Sequence, residues 1–390
     1  MTLKSLFAAT ALATAAIAFL PAAQAQESFD LTFQSAYPSG DPQYEHFAWW
    51  AERVTTFTNG RLTIEALPAG AIVPAFEVLD ATHDGVIDGA HAWSGFWVGK
   101  NRAAVMVASG PAGPFGMDWM DYWGWLYQGG GMEVNNTFFQ EDLGMDVVWR
   151  PLLSSGSQPL GWFNQEINSA DDLRGVRLRI PGIPGEMYEG MGVSVVTLPG
   201  GEIAPAGERG VIDAAEFVGP SIDYALGFQD IWKHYYAPAY HEVVTTAEIL
   251  ISKDVWESLP DDLKNIYELV TESSMMWWEQ KQQRADKEAM DAMQDEGVQF
   301  HRTPDDILEE SLEVWHRLFQ EEYETNDAFR RIANSQIAYA AQVVPARRIL
   351  EPSYYDIADI YWGPEGYLQS VDFLDEFDYE VPDYYQTFAR

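Results

Sequence analysis

Alternation of apolar and polar positions begins just after the first 25 residues. In Phe29-Asp30-Leu31-Thr32-Phe33-Gln34 the apolar side chains share one face, the period-two signature of a half-buried strand. The turn cluster Tyr37-Pro38-Ser39-Gly40-Asp41-Pro42 leads into a helix predicted from about Gln43 to Thr58, which Asn59-Gly60 ends. A second strand follows over Arg61–Leu67, a short helix over Pro74–Asp84 and a third strand over Val86–Ala92. This β-α-β-α-β order predicts a parallel α/β domain. The aromatic, Gly/Pro-rich stretch from Phe96 to Trp125 reads as loops packed on a core.

Strands recur at Asp146–Arg150 and Leu160–Asn164, and a second domain is expected to begin near Pro151. Its centre is Leu173–Pro220. Both ends of that stretch, Leu173–Gly182 and Val211–Pro220, are short apolar strands closed by Gly/Pro stops. Between them, Met187 and Met191 stand at helical spacing in Pro184–Gly192. Tyr240–Ser252 reads as a strand returning to the first domain. Asp261–Glu296 is a helical pattern without Pro or Gly. At 1.5 Å per residue it spans roughly 50 Å, enough to run along two lobes. Thr303-Pro304-Asp305-Asp306 signals another helix, with Thr303 as cap and Pro304 in the first position. The Tyr- and Asp-rich residues after Pro345 form an extension suited to crossing onto a second copy, as a homodimer.

The expected organisation is therefore a first lobe over 26–150 and a second-lobe core over 151–240. The first lobe regains 241–252 and part of the C-terminal region. A spanning helix covers 261–297, and an extension covers 345–390.

Residues 1–25 are set apart from this pattern. Lys4, an apolar run from Leu6 to Leu20 and Ala23-Gln24-Ala25 make a secretory leader, with the mature chain starting near Gln26. The run is too short for a permanent anchor, and no later segment approaches a membrane span. About 365 residues then remain, more than one core usually serves. The exported chain has no cysteine, so its stability rests on a large core, and a bacterial periplasm suits it best. The formal charge of −37 argues against nucleic acid and anionic lipid as partners.

The chemistry concentrates in the central stretch. Arg179 ends its strand directly before Ile180-Pro181-Gly182, and Glu216 stands four residues before Pro220. Strand ends in open α/β sheets collect ligands. Arg179 can fork onto a carboxylate. Arg177 lies on the same face, and the pattern alone reads equally as two solvated arginines. The Ile-Pro-Gly turn directly after Arg179 favours it over Arg177 for the cleft. Glu216 has apolar neighbours, so its carboxylate requires a cation, a ligand hydroxyl or a nearby Lys or Arg. This reading is a receptor for a small organic anion, the single Arg in a dry cleft outweighing a distant, screened surface field. Gln158 lies in a polar loop and alone reads as a turn residue. His241-Glu242 reads equally as part of the site or as a satisfied interdomain pair. No phosphate loop, G-x-S-x-G elbow or zinc-protease pair is present. A secreted hydrolase or lyase using Glu216 and His241 as acid and base is the rival reading. An exported carbohydrate-binding module is a third.

Three segments together resemble the solute-binding proteins of TRAP (tripartite ATP-independent periplasmic) transporters. They are Leu173–Gly182, Asp213–Pro220 and Ala69–Asp80. The resemblance extends over most of the mature chain. It implies an α/β, two-lobe periplasmic-binding-protein architecture with a hinge and a long helix spanning both lobes. It also implies delivery of ligand to TRAP permease membrane subunits and maps the carboxylate-binding arginine onto Arg179. The pattern is most similar to the branch binding 2-oxo or 2-hydroxy monocarboxylates through a metal cation, Na or Ca. By that resemblance Gln158, Glu216 and the Phe217 carbonyl hold the cation, Glu242 is a further ligand, and Phe96 and Trp97 line the pocket. His241 joins them. Phe217 and His241 stand where the branch often has Trp, and Gly95 where it has an aromatic. This implies a roomier or differently hydrogen-bonding pocket and admits a larger oxo- or hydroxy-acid, or a sugar acid, as the ligand.

Overall fold

The computed structural model of the chain describes residues 27–108, 110–364, 366–370 and 381–388. The leader over 1–25 and part of the C-terminal extension lie outside the described residues. Eleven strands are described: β1 Phe29–Ser35, β2 Leu62–Leu67, β3 Gly89–Ala92, β4 Val147–Ser154, β5 Gly161–Phe163, β6 Arg177–Arg179, β7 Ser194–Val196, β8 Ala214–Ala215, β9 His234–Ala237, β10 Thr246–Ser252 and β11 Gln299–Arg302. They form two mixed sheets, one in the order β2-β1-β3-β10-β4 and the other β11-β9-β5-β8-β6-β7.

In the first sheet β1 pairs in parallel with β2 and β3, as the β-α-β-α-β pattern predicts, while β10 returns antiparallel between β3 and β4. Pro151 lies inside β4, which pairs with β10 along its whole length, so the chain leaves this sheet only after Ser154. In the second sheet β6 pairs in parallel with β7 and β8, and β5 runs antiparallel to β8 and β9. Two crossing segments, β4 to β5 and β9 to β10, join the sheets. They are tied by Gln158 N–H donating to Glu242 O at 2.8 Å and Ser155 N–H to Thr245 O at 2.9 Å.

The helix Asp261–Asp295 packs on β4 of the first sheet and on the second-lobe helix Pro220–Ala225. Leu263, Tyr267, Val270, Ser274, Trp278 and Gln282 recur every three to four residues and are buried along one face. Trp50 Nε1–H donates to Thr271 Oγ1 at 2.9 Å on the first-lobe side, and Ser221 N–H to Asp286 Oδ1 at 3.0 Å on the second. A 35-residue helix so anchored is a common spine for the two lobes.

Several local expectations change. The third strand begins at Gly89, because Val86 is exposed in the preceding turn. Phe96–Trp125 is not all loop. Helices Ala104–Ala108 and Trp119–Gln128 lie in it, the second capped by Asp118, whose carboxylate accepts from Asp121 N–H. The Val211–Pro220 strand contracts to Ala214–Ala215, and the chain beyond turns away at Glu216. Pro304 takes the cap position of helix Asp305–Thr325, leaving buried Thr303 Oγ1 without a partner. Pro345 does not start a new segment. Helix Asp327–Leu350 runs through it.

Candidate functional site

Four chain passages end at one cleft between the sheets. Strand β6 delivers Arg179 as its last residue, and Glu216 follows β8 immediately. The crossing segments bring Ser155 and Gln158 from one side, Glu242 and Thr245 from the other. The first lobe adds Tyr37 beyond β1, Gln43 at the start of helix Pro42–Phe57, and Trp93 and Phe96 beyond β3. The cavity is small, about 30 Å3.

Parallel pairing of β6 and β8 sets Arg179 opposite Ala215, so Glu216 emerges beside the guanidinium. Arg179 is 1% exposed. Its Nη1 lies 3.5 Å from Glu216 Oε2 and donates to Glu216 O at 2.7 Å, while Nε–H donates to Leu198 O at 3.0 Å. The Phe217 ring lies against the guanidinium, centroid 5.3 Å from Cζ. Arg177, two residues earlier, is exposed and pairs with Asp213 at 2.6 Å, a surface ion pair. Buried Asp223 accepts from Val218 N–H at 3.1 Å, Gly219 N–H at 3.2 Å and Trp162 Nε1–H at 2.8 Å. It thereby holds the loop that carries Glu216 and Phe217.

The cleft is acidic despite its arginine. Burial pushes Glu216 well above the usual carboxylate range, the neighbouring Glu242 charge adds to this, and Arg179 opposes it. Burial takes Glu242 to about 7 against the Thr245 hydrogen bond and Arg179. Asp223 is raised to about 7, again mainly by burial. One guanidinium thus meets two cleft-lining carboxylates, Glu216 and Glu242, with Asp223 behind them, and an organic anion entering their ionised forms meets net negative charge. A bound cation offsets part or all of that negative charge. Gln158 Oε1 and Glu216 Oε1 are both buried without a hydrogen-bond partner. Hard oxygen donors of this kind suit Na⁺ or Ca²⁺. Among the described residues no group of three or more His, Asp or Glu could hold a metal alone. A cation here therefore needs the Gln158 amide, and ligand or backbone oxygens, besides Glu216.

Two predicted site residues fall elsewhere. Trp97 is 3% exposed in the first-lobe core, its Nε1–H donating to Phe76 O at 3.0 Å and its ring against Phe139. The 3-10 turn Ser94–Trp97 directs Phe96 to the cleft and Trp97 away from it. His241 is fully buried and does not line the cleft. Its Nδ1 is 3.0 Å from Tyr188 Oη, and its Nε2 is 3.9 Å from Glu216 Oε1, beyond hydrogen-bond range. Burial lowers its pKa to about 3, so it is neutral, and the Glu216–His241 acid–base pair of the rival reading is not assembled.

Tyr37, Gln43, Trp93, Ser155 and Thr245 were not singled out by sequence. Tyr37 and Trp93 follow strand ends, the signal that would have found them. The space expected at Gly95 is filled by Trp93, whose indole ring lies where a Cβ on Gly95 would project. The turn is anchored from below by Ser94 Oγ–H donating to Glu248 Oε1 at 2.7 Å. Glu248 is fully buried, its Oε2 is unpartnered, and burial raises its pKa to about 8.

A buried arginine–carboxylate cleft between two bridged α/β lobes defines a solute receptor, and comparison with known proteins agrees. Residues 33–326 match the family model described as bacterial extracellular solute-binding protein, family 7, and the chain belongs to that family, the solute receptors of TRAP transporters. It is 33% identical over 308 residues to the monocarboxylate 2-oxoacid-binding periplasmic protein of Nostoc sp. (strain PCC 7120), covering 79% of this chain and 83% of that one. A TRAP transporter solute-binding protein from Bordetella bronchiseptica RB50, solved with calcium and picolinate, superposes with a TM-score of 0.81 at 26% identity, covering 86% of this chain and 98% of that one. A TRAP periplasmic solute-binding protein from Pseudoalteromonas atlantica T6c, with sodium and pyruvate, gives 0.78 at 26% identity over 85% and 99%. No helix among the described residues is long and apolar enough to cross a membrane.

Proposed function

We propose that this chain is a periplasmic receptor for a small 2-oxo or 2-hydroxy monocarboxylate, bound together with Na⁺ or Ca²⁺. Arg179 takes the carboxylate. Gln158 Oε1, Glu216 and the Phe217 carbonyl hold the cation, with Glu242 beside them, and the cation takes an adjacent carboxylate and carbonyl or hydroxyl oxygen. Closure of the lobes excludes water and strengthens both contacts. The loaded receptor then delivers the acid to TRAP permease subunits.

One observation carries this reading: Arg179 and Glu216 meet at 3.5 Å in a buried cleft where Gln158 Oε1 and Glu216 Oε1 have no protein partner. The calcium and sodium of the two solved relatives, and the 2-oxoacid named for the Nostoc protein, support it. Mass spectrometry of the small molecule released on denaturation tests it. A 2-oxo or 2-hydroxy acid in stoichiometric amount is expected; the same acid incubated with the protein should be recovered unchanged. Release of a cationic or neutral solute, or conversion of the acid to product, overturns the reading. Association of two copies through the C-terminal extension is a separate reading. Exposed Ile349, Leu350, Tyr354, Tyr355 and Ile360 support it, and light scattering after truncation at Glu351 tests it.

A further inference from the structure

The cleft wall supplied by the first lobe carries a donor that neither the arginine nor a cation engages. Trp93 is 5% exposed and lines the cleft, and its indole Nε1–H has no hydrogen-bond partner. Gln43 Nε2, on the same wall, is likewise buried and unpartnered. A buried N–H left without an acceptor carries a desolvation cost that a bound acceptor removes. The other unpartnered cleft atoms named above, Gln158 Oε1 and Glu216 Oε1, are acceptors. Unpartnered donors therefore stand on the first-lobe wall, and the unpartnered acceptors on a crossing segment and the second lobe.

The position of the indole is set by two glycines. Any Cβ on Gly95 would fall inside the Trp93 ring, so the ring lies over residue 95 only because that residue has no side chain. Across the cleft, a Cβ built on Gly182 would stand 3.2 Å from Gly95 O and 3.4 Å from the Trp93 ring. Gly182 opens the second-lobe helix Gly182–Gly190, and its φ of +70° also favours glycine there. The ring is thus seated where the two lobes meet. The turn beneath it is fixed by the Ser94–Glu248 hydrogen bond.

We infer that Trp93 is a specificity-determining residue, its indole N–H donating to an acceptor oxygen on the side chain of the bound acid, beyond the carboxylate and the 2-oxygen. This rests on the function proposed above and, within it, ranks acids with an oxygen at C3 or further above those without one. Discrimination of this kind arises because a site built around a hydrogen bond leaves its donor unpaired when the ligand lacks the acceptor.

The test uses 3-hydroxypyruvate and 2-oxobutyrate, matched in size, with a hydroxyl in one where the other has a methyl. Each is titrated by calorimetry into the full-length mature protein, wild type, Trp93→Phe and Gly95→Ala, with calcium present. Wild type should prefer 3-hydroxypyruvate. Trp93→Phe, which keeps an aromatic ring, should weaken that acid about five- to tenfold and change 2-oxobutyrate less than about twofold. Gly95→Ala, by displacing the ring, should lose the same preference. In 15N-labelled protein, the indole resonance missing from Trp93→Phe should shift on addition of 3-hydroxypyruvate and not of 2-oxobutyrate. Equal weakening of both acids places the indole on their shared carboxylate or oxo group and overturns the specificity claim. No change in either overturns it as well. If Arg179→Lys weakens both acids while Trp93→Phe alters neither, this inference fails alone. If wild type binds neither acid, the functional reading fails and this inference falls with it.

Discussion

Replacing Arg179 by lysine keeps the charge and removes the fork. The guanidinium gives Nε–H to Leu198 O at 3.0 Å and Nη1–H to Glu216 O at 2.7 Å, and stands 3.5 Å from Glu216 Oε2. A lysine ammonium cannot serve these positions and also present a planar pair of donors to a carboxylate. Loss of one charge-assisted hydrogen bond to the ligand is worth about 1.5–3 kcal/mol, or about 10- to 150-fold in Kd. Folding stability should fall by about 1–3 kcal/mol as well, because buried carbonyls lose their donors. The two effects separate experimentally. Calorimetry with pyruvate well below the melting temperature of the variant reports affinity, and thermal unfolding without ligand reports stability. Unchanged affinity in a folded variant refutes the assignment of Arg179 to the ligand carboxylate. A loss confined to stability makes Arg179 a structural tie between β6, Leu198 and Glu216.

Other consequences follow from the same geometry. Glu248 has its pKa raised from 4.5 to about 8 by burial, so its contribution to stability is complete below pH 4.5 and is lost as pH rises through about 8. Glu248→Gln should therefore raise the melting temperature at pH 8.5, by an amount worth on the order of 2–4 kcal/mol, and change it little at pH 4.5. A melting temperature equally affected at both pH values removes the buried charge as its cause. Arg102 reaches from the first lobe to Glu186 in the second-lobe helix through two bonds of 2.6 and 2.8 Å, and also pairs with Glu322. Arg102 and Glu186 are each about a third exposed, so Arg102→Ala should cost only about 0.5–1 kcal/mol of closure. That is seen as roughly two- to fivefold weaker ligand binding at low salt, shrinking at high salt; a salt-independent loss would assign the effect to packing.

Arg179 and Glu216 were legible because each breaks an apolar strand at its Gly/Pro-bounded end, where the ladder stops and a cleft begins. Their meeting depends only on the parallel pairing of neighbouring short strands β6 and β8. Trp97 was misread because its direction is set by a 3-10 turn, and within such a turn adjacent aromatics diverge. Trp93 escaped notice although it directly follows the expected strand end at Ala92, because only the bare Gly95 two residues on lets its ring fold back over the turn. His241 was placed in the site by the family resemblance, but its side chain is turned to Tyr188, 53 residues away in sequence, a contact no local pattern encodes. The helix Trp119–Gln128 was hidden by its glycine and aromatic content, although Asp118 supplies a cap and Tyr122, Trp125 and Leu126 a buried face. The 35-residue spine was plain because an uninterrupted helical period needs no tertiary information to be read.

The claim on which the account turns is that an arginine and a cation share one small acid inside a cleft richer in carboxylates than in cations. Calorimetric titration of pyruvate into chelator-stripped protein, in a potassium buffer free of sodium and calcium, and again after calcium is restored, tests it most directly. The account predicts binding that is weak or absent in the stripped protein and recovers with calcium. Equal affinity in both states would contradict it.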